Sequence, residues 1–458
     1  MAKHKTPGVF NQQFQPRVPS VAQVETAIPA FIGYTEKAQD QQAGDLLQSP
    51  KRITTMLEYD QFFGAAAPEK GITVKVNTKT SPLTVEAEIT APSNYLMYYA
   101  LRAFFDNGGG ACYIVSVGDY SGGGDISKAA LLQGLEAAGE VDEVSLVVFP
   151  EGTKITPAAD YYALVDASLE HCRLHRDRFT ICDIYMHQDA AVNDVEQFRA
   201  ATVDTVEQLQ FGACYYPDLE MLIDHSYQPE DVQVTRNGKT TTLDKVERRD
   251  PKLYDEIKRA ITQIPLILPP SPSIAGVYAS VDRDRGVWKA PANVSISAVM
   301  RPTVSISDPE QDSLNVDLIT GKSINAIRSL EGRGILVWGA RTLAGNDNEW
   351  RYVPIRRFLM MVEESITQAT LAVVFEPNDA NTWVQVRAMV ENFLMSLWRQ
   401  GALMGNKPEQ SYFVKVGLGE TMTAKDILEN RMIIEIGMAV VRPAEFIVFR
   451  ITQQMAQA

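Results

Sequence analysis

The chain has 458 residues, which is too many for one compact core and indicates about three domains. Apolar residues make up 45% and charged residues 22%, as in ordinary globular proteins. The net charge of −14 excludes a general nucleic-acid binder, because no basic block is present to neutralise phosphates.

Membrane insertion and ordinary secretion are not expected either. No run approaches the ~18–20 apolar residues needed to span a bilayer. The N-terminus lacks the apolar core of a signal peptide. The sparse, irregularly spaced cysteines are typical of reduced thiols in a bacterial-type cytosol: Cys112, Cys172, Cys182 and Cys214.

Residues 1–20 contain Pro7, Pro16 and Pro19 among polar residues, with few apolar side chains to bury. Such a segment is extended and cannot fold alone. Two alternatives follow from this composition: a disordered tail, or an arm that becomes ordered on a partner.

The next segment is predicted to contain a strand, two helices and a hairpin. Ala30–Tyr34 is a short apolar strand, and Ile53–Phe63 is a helix. Residues 72–90 alternate apolar and polar on both sides of a Thr-Ser-Pro turn, which predicts a hairpin. A second helix is expected at Ser93–Phe105, with Ser93 as its N-cap.

Apolar strands then alternate with helical patterns. The predicted strands are Cys112–Val117, Val144–Phe149, Phe179–Ile184 and Phe211–Tyr216. The predicted helices lie at about 126–138, 157–175 and 193–209. Because helices of this length connect parallel strands, the alternation predicts βαβ units and a mostly parallel sheet.

Residues 225–250 are polar and contain an Asn237-Gly238 turn, which predicts a surface hairpin. A helix is expected after it, at about 251–263.

A change of architecture is predicted at residues 323–358. Here Gly332 and Gly334 precede the apolar run Ile335–Trp338, which indicates a buried strand because glycine permits sharp turns at its ends. The elements expected after it are helices at 355–369 and 383–397 and strands at Phe413–Leu418 and Met432–Val441. The stretch is therefore interpreted as a junction between an α/β part and a mainly helical part.

Phosphate and nucleotide sites are not supported by the glycine motifs. The triplets Gly238–Thr240 and Gly321–Ser323 lack the earlier glycine of a phosphate-binding loop, whose place is taken by Gln233 and Val316. Both triplets are interpreted as turns. The glycines at 332, 334 and 339 do not form the dinucleotide fingerprint, because the third glycine is misplaced and a strand follows the first two instead of a helix.

Metal binding is also weighed and not expected. His171 and His175 would share a helix face, but Cys172 points away from that face and Cys182 falls inside a predicted strand. No zinc site or other cofactor is therefore predicted.

The adjacent acids do not indicate catalysis. Asp282 and Asp284 alternate with Arg283 and Arg285, which predicts a salt-bridged surface. No serine or cysteine lies in a recognisable activating context. An enzyme is not supported, although a soluble α/β enzyme that uses the glycine-rich loop at 107–110 is kept as the alternative function.

The last apolar segment, Phe446–Ile451, is apolar on both faces and is followed only by a short polar tail. A bare edge of this kind would invite aggregation. Either it closes a sheet of its own chain, or it pairs with the N-terminal arm of another copy by β-augmentation.

Several motifs together resemble the contractile tail sheath family of phage tails, pyocin-like particles and related injection systems. They are Thr6-Pro-Gly-Val, Pro29-Ala-Phe-Ile-Gly-Tyr, Phe104-Phe-Asp-Asn-Gly-Gly-Gly-Ala-Cys-Tyr-Ile-Val, Arg285-Gly-Val-Trp-Lys-Ala-Pro-Ala-Asn, Ile324-Asn-Ala-Ile-Arg, Gly334-Ile-Leu-Val-Trp-Gly-Ala-Arg-Thr-Leu, Trp350-Arg-Tyr-Val-Pro-Ile-Arg-Arg, Phe375-Glu-Pro-Asn and Pro443-Ala-Glu-Phe-Ile. Their order and number make the resemblance specific. The chain lacks large outer insertions, which favours a compact, injection-system type of sheath.

The resemblance implies a multidomain fold that is α/β and α+β. An outer α/β domain with a mostly parallel sheet would be accompanied by an inner, tube-facing α+β domain formed by both ends of the chain, with extended terminal arms. The boundaries expected from it are an N-terminal arm at 1–20, inner-domain residues at 21–100 including the hairpin, an outer domain at 101–350, inner-domain residues at 351–440, and a C-terminal strand and arm at 441–458.

The resemblance also implies partners. Copies of the chain would form stacked hexameric rings around an inner tube, starting at a baseplate and ending at a cap protein, and assembly would take place in the bacterial cytoplasm. No nucleic acid and no direct membrane insertion are expected. The particle would be a phage tail or a released contractile particle.

Residues for these contacts follow from the same resemblance. Arm residues expected to contact other copies are Val9, Phe10, Phe14, Phe446, Ile447, Val448, Phe449 and Ile451. Residues considered for a tube-facing role are Arg356, Arg357, Arg387, Arg399 and Lys407. For Arg356 and Arg357 the alternative is an ion pair inside the subunit, with acids such as Glu363 or Glu364.

Overall fold

The computed structural model describes residues 20–77, 83–187 and 193–445. The chain divides into two compact units. The α/β unit comprises Glu25–Met361 and the described residues from Arg442 onward. The C-terminal unit comprises Val362–Val441 and the described residues before Glu25. Within the described ranges, none of the helices combines the length and apolar character that crossing a membrane requires.

The strands are numbered in chain order through the described residues. They are β1 Pro29–Tyr34, β2 Lys51–Ile53, β3 Ile72–Asn77, β4 Thr84–Ile89, β5 Cys112–Gly118, β6 Leu146–Val148, β7 Phe179–Asp183, β8 Gly212–Tyr216, β9 Leu219–Met221, β10 Gln233–Arg236, β11 Lys239–Thr242, β12 Leu266–Leu268, β13 Val294–Ser295, β14 Val299–Pro302, β15 Ile324–Leu330, β16 Gly334–Val337, β17 Tyr412–Lys415 and β18 Glu435–Met438.

The α-helices are numbered in the same way. They are α1 Met56–Phe63, α2 Met97–Asp106, α3 Lys128–Gly139, α4 Ala158–His175, α5 Asp194–Ala201, α6 Val206–Leu209, α7 Leu243–Arg249, α8 Pro251–Thr262, α9 Ser271–Arg285, α10 Asp308–Asn315, α11 Val353–Thr370, α12 Ala380–Arg399, α13 Pro408–Ser411 and α14 Ala424–Leu428.

The α/β unit is built around a nine-stranded sheet with the order β13-β16-β15-β8-β7-β6-β1-β5-β2. The strands from β15 to β5 in this order run parallel to their neighbours, whereas β2, β16 and β13 pair antiparallel. Strands β1, β6 and β7 are buried along their whole length, as expected when helices cover both faces of a parallel sheet. The predicted, mostly parallel sheet is confirmed.

Strand β1 lies in the interior of this sheet. It pairs in parallel with β5 on one side and with β6 on the other. Residues 25–100 therefore lie in the α/β unit, which corrects their predicted grouping with the C-terminal part of the chain. The division expected near residue 350 lies between Met361 and Val362.

Both predicted hairpins are confirmed, as β3 with β4 and as β10 with β11. The sequence did not indicate that they join: β10 pairs in parallel with β3 to make one four-stranded sheet. The apolar face of β3 packs in a core with α8, whose N-terminus is capped by Asp250. The alternation of β3 and the amphipathic pattern of α8 each bury one face in this way.

Buried carboxylates at strand ends hold the N-termini of two helices. The backbone N–H groups of Leu96 and Met97, at the start of α2, donate to Glu151 Oε1 at 2.9 and 2.8 Å. The N–H and hydroxyl of Ser271, at the start of α9, donate to Asp183 at 2.8 and 2.5 Å. A carboxyl oxygen in this position accepts from N–H groups that have no partner in the helix. The predicted N-cap Ser93 is therefore wrong.

Two other helix predictions need adjustment. The single helix expected at 193–209 is two shorter helices, α5 and α6. No helix is predicted from the proline-rich start of α9, yet α9 runs from Ser271 to Arg285. Its capping carboxylate, Asp183, comes from a strand distant in sequence and leaves no local signal.

The C-terminal unit contains α12 and a two-stranded sheet. Asp379 caps α12 by accepting from the backbone N–H groups of Asn381 and Thr382 at 2.9 and 3.1 Å. The sheet pairs β17 with β18 in antiparallel register. Both predicted strands are thus confirmed with shorter bounds.

Candidate functional site: buried arginines of residues 323–358

The stretch 323–358 contains a hairpin, an irregular loop and the first turns of α11. The predicted buried strand is confirmed as β16, which pairs antiparallel with β15. The turn between them contains Gly332 and Gly334 at φ +71° and +80°, a region that favours glycine. Strand β15 was not predicted, because a polar residue, Asn325, interrupts its apolar pattern.

Asn325 is buried and fixes the backbone of Arg341. Its Oδ1 accepts the backbone N–H of Arg341 at 2.7 Å, and its Nδ2 donates to the backbone O of Arg341 at 2.8 Å. The same Nδ2 donates to the backbone O of Cys214 in β8 at 3.1 Å. Asn325 therefore ties the loop that carries Arg341 to the interior of the sheet.

The Arg341 guanidinium binds Glu445. Arg341 Nε and Nη2 donate to the two carboxylate oxygens at 3.0 and 2.6 Å, a bidentate pair. Asn315 Nδ2 and the Tyr352 hydroxyl donate to the same carboxylate at 3.0 and 3.1 Å. The side chains of Arg341 and Glu445 are 4% and 22% exposed. Glu445 thus has four donors in the α/β unit.

These contacts decide the charge state of Glu445. Burial alone would raise its pKa, but hydrogen bonds from Arg341 and Asn315 and the charge of Arg341 outweigh burial and hold the pKa below its usual value. Glu445 is therefore ionised at neutral pH, and the pair with Arg341 is a true ion pair.

A second arginine, Arg357, forms an ion pair with Asp282 of α9. The distance from Nη2 to Oδ2 is 2.6 Å, and the side chains are 3% and 7% exposed. Arg357 also donates to the backbone O of Thr26 at 2.7 Å, and the Thr26 hydroxyl donates to Asp282 at 2.6 Å. The prediction that Asp282 lies on a salt-bridged surface is wrong; only its neighbour Asp284 is exposed, beside Arg283.

The third arginine, Arg356, lies between two aromatic rings. Its guanidinium carbon is 4.2 Å from the ring centroid of Phe211 and 4.8 Å from that of Trp350. Arg356 and Arg357 are both buried inside the chain, which corrects their predicted tube-facing role. The alternative, pairing inside the subunit, holds for Arg357, with Asp282 in place of Glu363 or Glu364.

Parts of this chain resemble sheath sequences of known type. Residues 345–454 match the family of phage tail sheath C-terminal domains. The tail sheath protein of Burkholderia phage BcepMu is 30% identical over 162 residues, which is 34% of this chain and 32% of that protein. The matched segment therefore spans about a third of that relative's length.

Solved structures match over the whole length. A chain of the anti-feeding prophage (AFP) baseplate is 32% identical, with a TM-score of 0.66 and coverage of 99% of this chain and 100% of that one. A chain of the contracted sheath complex of PVC, an extracellular contractile injection system, is 30% identical, with a TM-score of 0.65 and 99% coverage of both. The contracted AFP helical sheath gives 30% identity, a TM-score of 0.65 and coverage of 99% and 100%.

The chain belongs to the contractile sheath family. Its homologues are structural sheath proteins of phage tails and injection systems. The arginine network described above is therefore a feature of a sheath subunit.

The other predicted contact residues of the sheath subunit fall into two groups. Arg387 is partly exposed and donates to the backbone O of Val416 at 2.8 Å and to Glu420 at 2.7 Å. Arg399 and Lys407 are exposed. The predicted arm residues lie outside the described residues: Val9, Phe10, Phe14, Phe446, Ile447, Val448, Phe449 and Ile451.

The glycine-rich loop of the sheath subunit, residues 107–110, packs against protein. Asn107 is buried, and its Oδ1 accepts the backbone N–H of Ser297 at 2.8 Å. Arg283 donates to the backbone O of Gly108 at 3.0 Å. A side chain at Gly109 would overlap the ring of Phe104. The loop is a tight connection between α2 and β5.

The remaining motifs of the sheath subunit have structural roles. Lys239 lies at the β10–β11 turn, as predicted, whereas Lys322 is fully buried and donates to the backbone O of Arg199 and Thr202 at 2.5 and 2.7 Å. The rings of His171 and His175 stack at 4.2 Å. Across the described part of the chain, no three His, Cys, Asp or Glu side chains are grouped as metal ligands.

Sequence reasoning missed Asn325, Arg341 and Glu445 as a connected group. Each lies in a motif that carries the family resemblance, but the motifs are far apart in sequence. A polar residue inside an apolar strand was the one local signal, because a buried asparagine requires hydrogen-bond partners.

Proposed function

We propose that this sheath subunit polymerises as stacked hexameric rings around an inner tube, beginning at a baseplate and ending at a cap, and contracts to drive the tube through a target cell envelope. The supporting observation is the end-to-end similarity to chains of two sheaths in the contracted state. The similarity to a chain of a 6-fold symmetrised baseplate supports hexameric rings and a baseplate partner. No hydrolysis is needed, since each subunit need only repack into contacts of lower energy.

The proposed lattice contacts are the terminal arms, residues 1–20 and 441–458. In the C-terminal unit the β17–β18 sheet ends after two strands within the described residues. A two-stranded sheet is marginally stable alone, and an open edge accepts a further strand. An arm strand from another copy would complete it by backbone hydrogen bonds, as in β-augmentation.

We further propose that the particle is a compact injection system assembled in the bacterial cytoplasm and then released. Matches to AFP and PVC chains cover the whole subunit, in line with the missing outer insertions. In this assembly the C-terminal unit lies on the tube side. Arg387, Arg399 and Lys407 remain the proposed tube-facing residues, and charge reversal there is expected to impair assembly on the tube.

Co-expression with the inner tube protein, followed by size exclusion and negative-stain microscopy, tests the proposal. The full chain is expected to give rings or striated tubes, and the chain without residues 1–20 is expected to stay folded and unpolymerised. A small, defined oligomer of the full chain would contradict the proposed polymerisation. Ordered filaments from the truncated chain would show that the N-terminal arm is not a lattice contact.

A further inference from the structure

We propose that Glu445 fastens the C-terminal arm to the α/β unit, so that a pull on the arm reaches the nine-stranded sheet through Arg341 and Asn325. The inference rests on the proposed sheath function, because the arm bears tension only if it contacts another copy. It assigns Glu445 and Arg341 a positioning role in assembly and contraction.

The first step is the position of Glu445 in the chain. Glu445 is the last described residue, and in the sequence it directly precedes Phe446–Ile451, the apolar part of the proposed C-terminal arm. Any force on the arm therefore meets Glu445 first. Three residues earlier, Arg442 Nη1 donates to the backbone O of Asn348 at 2.8 Å. Residues 442–445 are therefore bonded to the loop 345–352 at both ends, through Asn348 and Tyr352.

The second step concerns how firmly Arg341, the partner of Glu445, is held. Arg341 Nη1 donates to the backbone O of Asn315 at 3.0 Å, while Asn315 Nδ2 donates to Glu445. Asn325 holds both backbone groups of Arg341 and belongs to β15, whose parallel pairing with β8 places it inside the sheet. As long as these hydrogen bonds hold, a displacement of Glu445 is therefore passed to the sheet.

The third step is the alternative route for the force. Without the contacts of Glu445, tension on the arm would meet only the hydrogen bond from Arg442 to the backbone O of Asn348 before it passed through Val441 into the C-terminal unit. That unit has a two-stranded sheet, whereas the α/β unit has nine strands. The Glu445 contacts direct the tension to the unit with the larger hydrogen-bonded sheet.

The strength of the pair is consistent with this role. Bidentate arginine–carboxylate bonds are stronger than neutral hydrogen bonds, and limited solvent access reduces screening. In contrast, the exposed pair of Arg283 with Asp284, with side chains 59% and 60% exposed, is screened by water. Glu445 is therefore the charged contact to alter.

The test uses the full-length chain co-expressed with tube and baseplate. E445Q keeps the size of the side chain but turns an amide group toward the Arg341 donors. R341K keeps the charge but loses the bidentate fork. The matched control is E349Q, which makes the same change at an exposed acid of the 345–352 loop. We expect E445Q and R341K to lower the yield of sedimentable sheath by about tenfold or more, and E349Q to leave it unchanged.

A second measurement separates this role from a folding role. Hydrogen exchange of the unassembled subunit is expected to rise at residues 442–445 in E445Q, with no change in β15 or β8. Wild-type assembly and contraction by E445Q would overturn the inference and leave the proposed function intact. So would faster exchange throughout the sheet, which would make Glu445 a folding element. Failure of the wild-type chain to form sheaths would instead contradict the proposed function.

Discussion

Arg357 and Asp282 face each other across α11 and α9 in an ion pair that is almost fully withdrawn from solvent. Thr26, just ahead of β1, contributes its hydroxyl and its backbone O to the same pair. Three segments that are distant in sequence are joined at one point. Removing either charge would leave the other buried without compensation, which is far more costly than losing an exposed pair.

Asp282→Asn is therefore expected to lower the free energy of unfolding by about 3–5 kcal/mol. Urea denaturation of the unassembled full-length chain measures it. The control is Asp284→Asn, the same change two positions along α9 at an exposed pair, with an expected loss below about 1 kcal/mol. Similar losses in the two variants would show that burial of the pair contributes nothing.

Gly33→Ala is expected to destabilise the chain by about 1–3 kcal/mol, the usual range for overpacking a core. A Cβ at this position in β1 would overlap Glu151 Oε2 and lie 2.9 Å from Met97 Cε. Gly110→Ala is the matched control, because a Cβ there meets no atom within 4 Å. The midpoint of thermal unfolding distinguishes the two variants. A Gly33→Ala variant as stable as Gly110→Ala would show that a Cβ at position 33 is accommodated without overlap.

The stability of the unassembled subunit is expected to fall as the pH rises from about 5 to 8. Burial raises the pKa of Glu151 to about 8 despite the N–H groups of Leu96 and Met97, and burial also raises that of Asp183 to about 8. Unfolded carboxyls titrate near about 4, so the folded state holds these protons more tightly. The resulting stability is complete below the unfolded pKa and is lost as the pH passes the folded pKa.

Glu151→Gln tests this origin, because it removes the ionisation of Glu151 and leaves that of Asp183. Its free energy of unfolding is expected to fall less steeply between pH 5 and 8 than that of the wild type, by up to about 1.4 kcal/mol per pH unit. The exposed Glu136→Gln serves as control and should keep the wild-type slope. An unchanged slope in Glu151→Gln would exclude this carboxyl as a source.

Arg356→Lys is expected to cost about 0.5–2 kcal/mol of stability, because lysine cannot replace a planar guanidinium between the rings of Phe211 and Trp350. Arg399→Lys, at an exposed position of α12, is the control and should be neutral. Denaturant titration measures both. A neutral Arg356→Lys would mean that the charge alone suffices there.

The parallel sheet could be predicted because apolar strands alternate with helices between residues 112 and 216, and each strand has a local signal. The position of β1 in the sheet could not be predicted, because the sequence of Pro29–Tyr34 does not indicate that β5 and β6 are its neighbours. The same limit applies to α9, whose proline-rich start has its cap at Asp183 in another part of the chain.

Residues 323–358 were predicted to be a junction between two architectures, and their contacts were not predicted. Glycine and apolar spacing indicated β16. The partners of the arginines could not be read, because Arg341 and Glu445 are joined only in the folded chain. For Arg356 and Arg357, the family resemblance suggested a tube-facing role, whereas aromatic rings and Asp282 make burial possible.

The two ends of the subunit are attached to the nine-stranded sheet in different ways, and this determines which attachment would break first under load. The N-terminal segment continues directly into β1, which is bonded on both edges, so a pull along β1 shears two backbone ladders at once. The C-terminal segment is held at Glu445 by side chains alone. An overloaded subunit would therefore release its C-terminal end first and keep its N-terminal end attached.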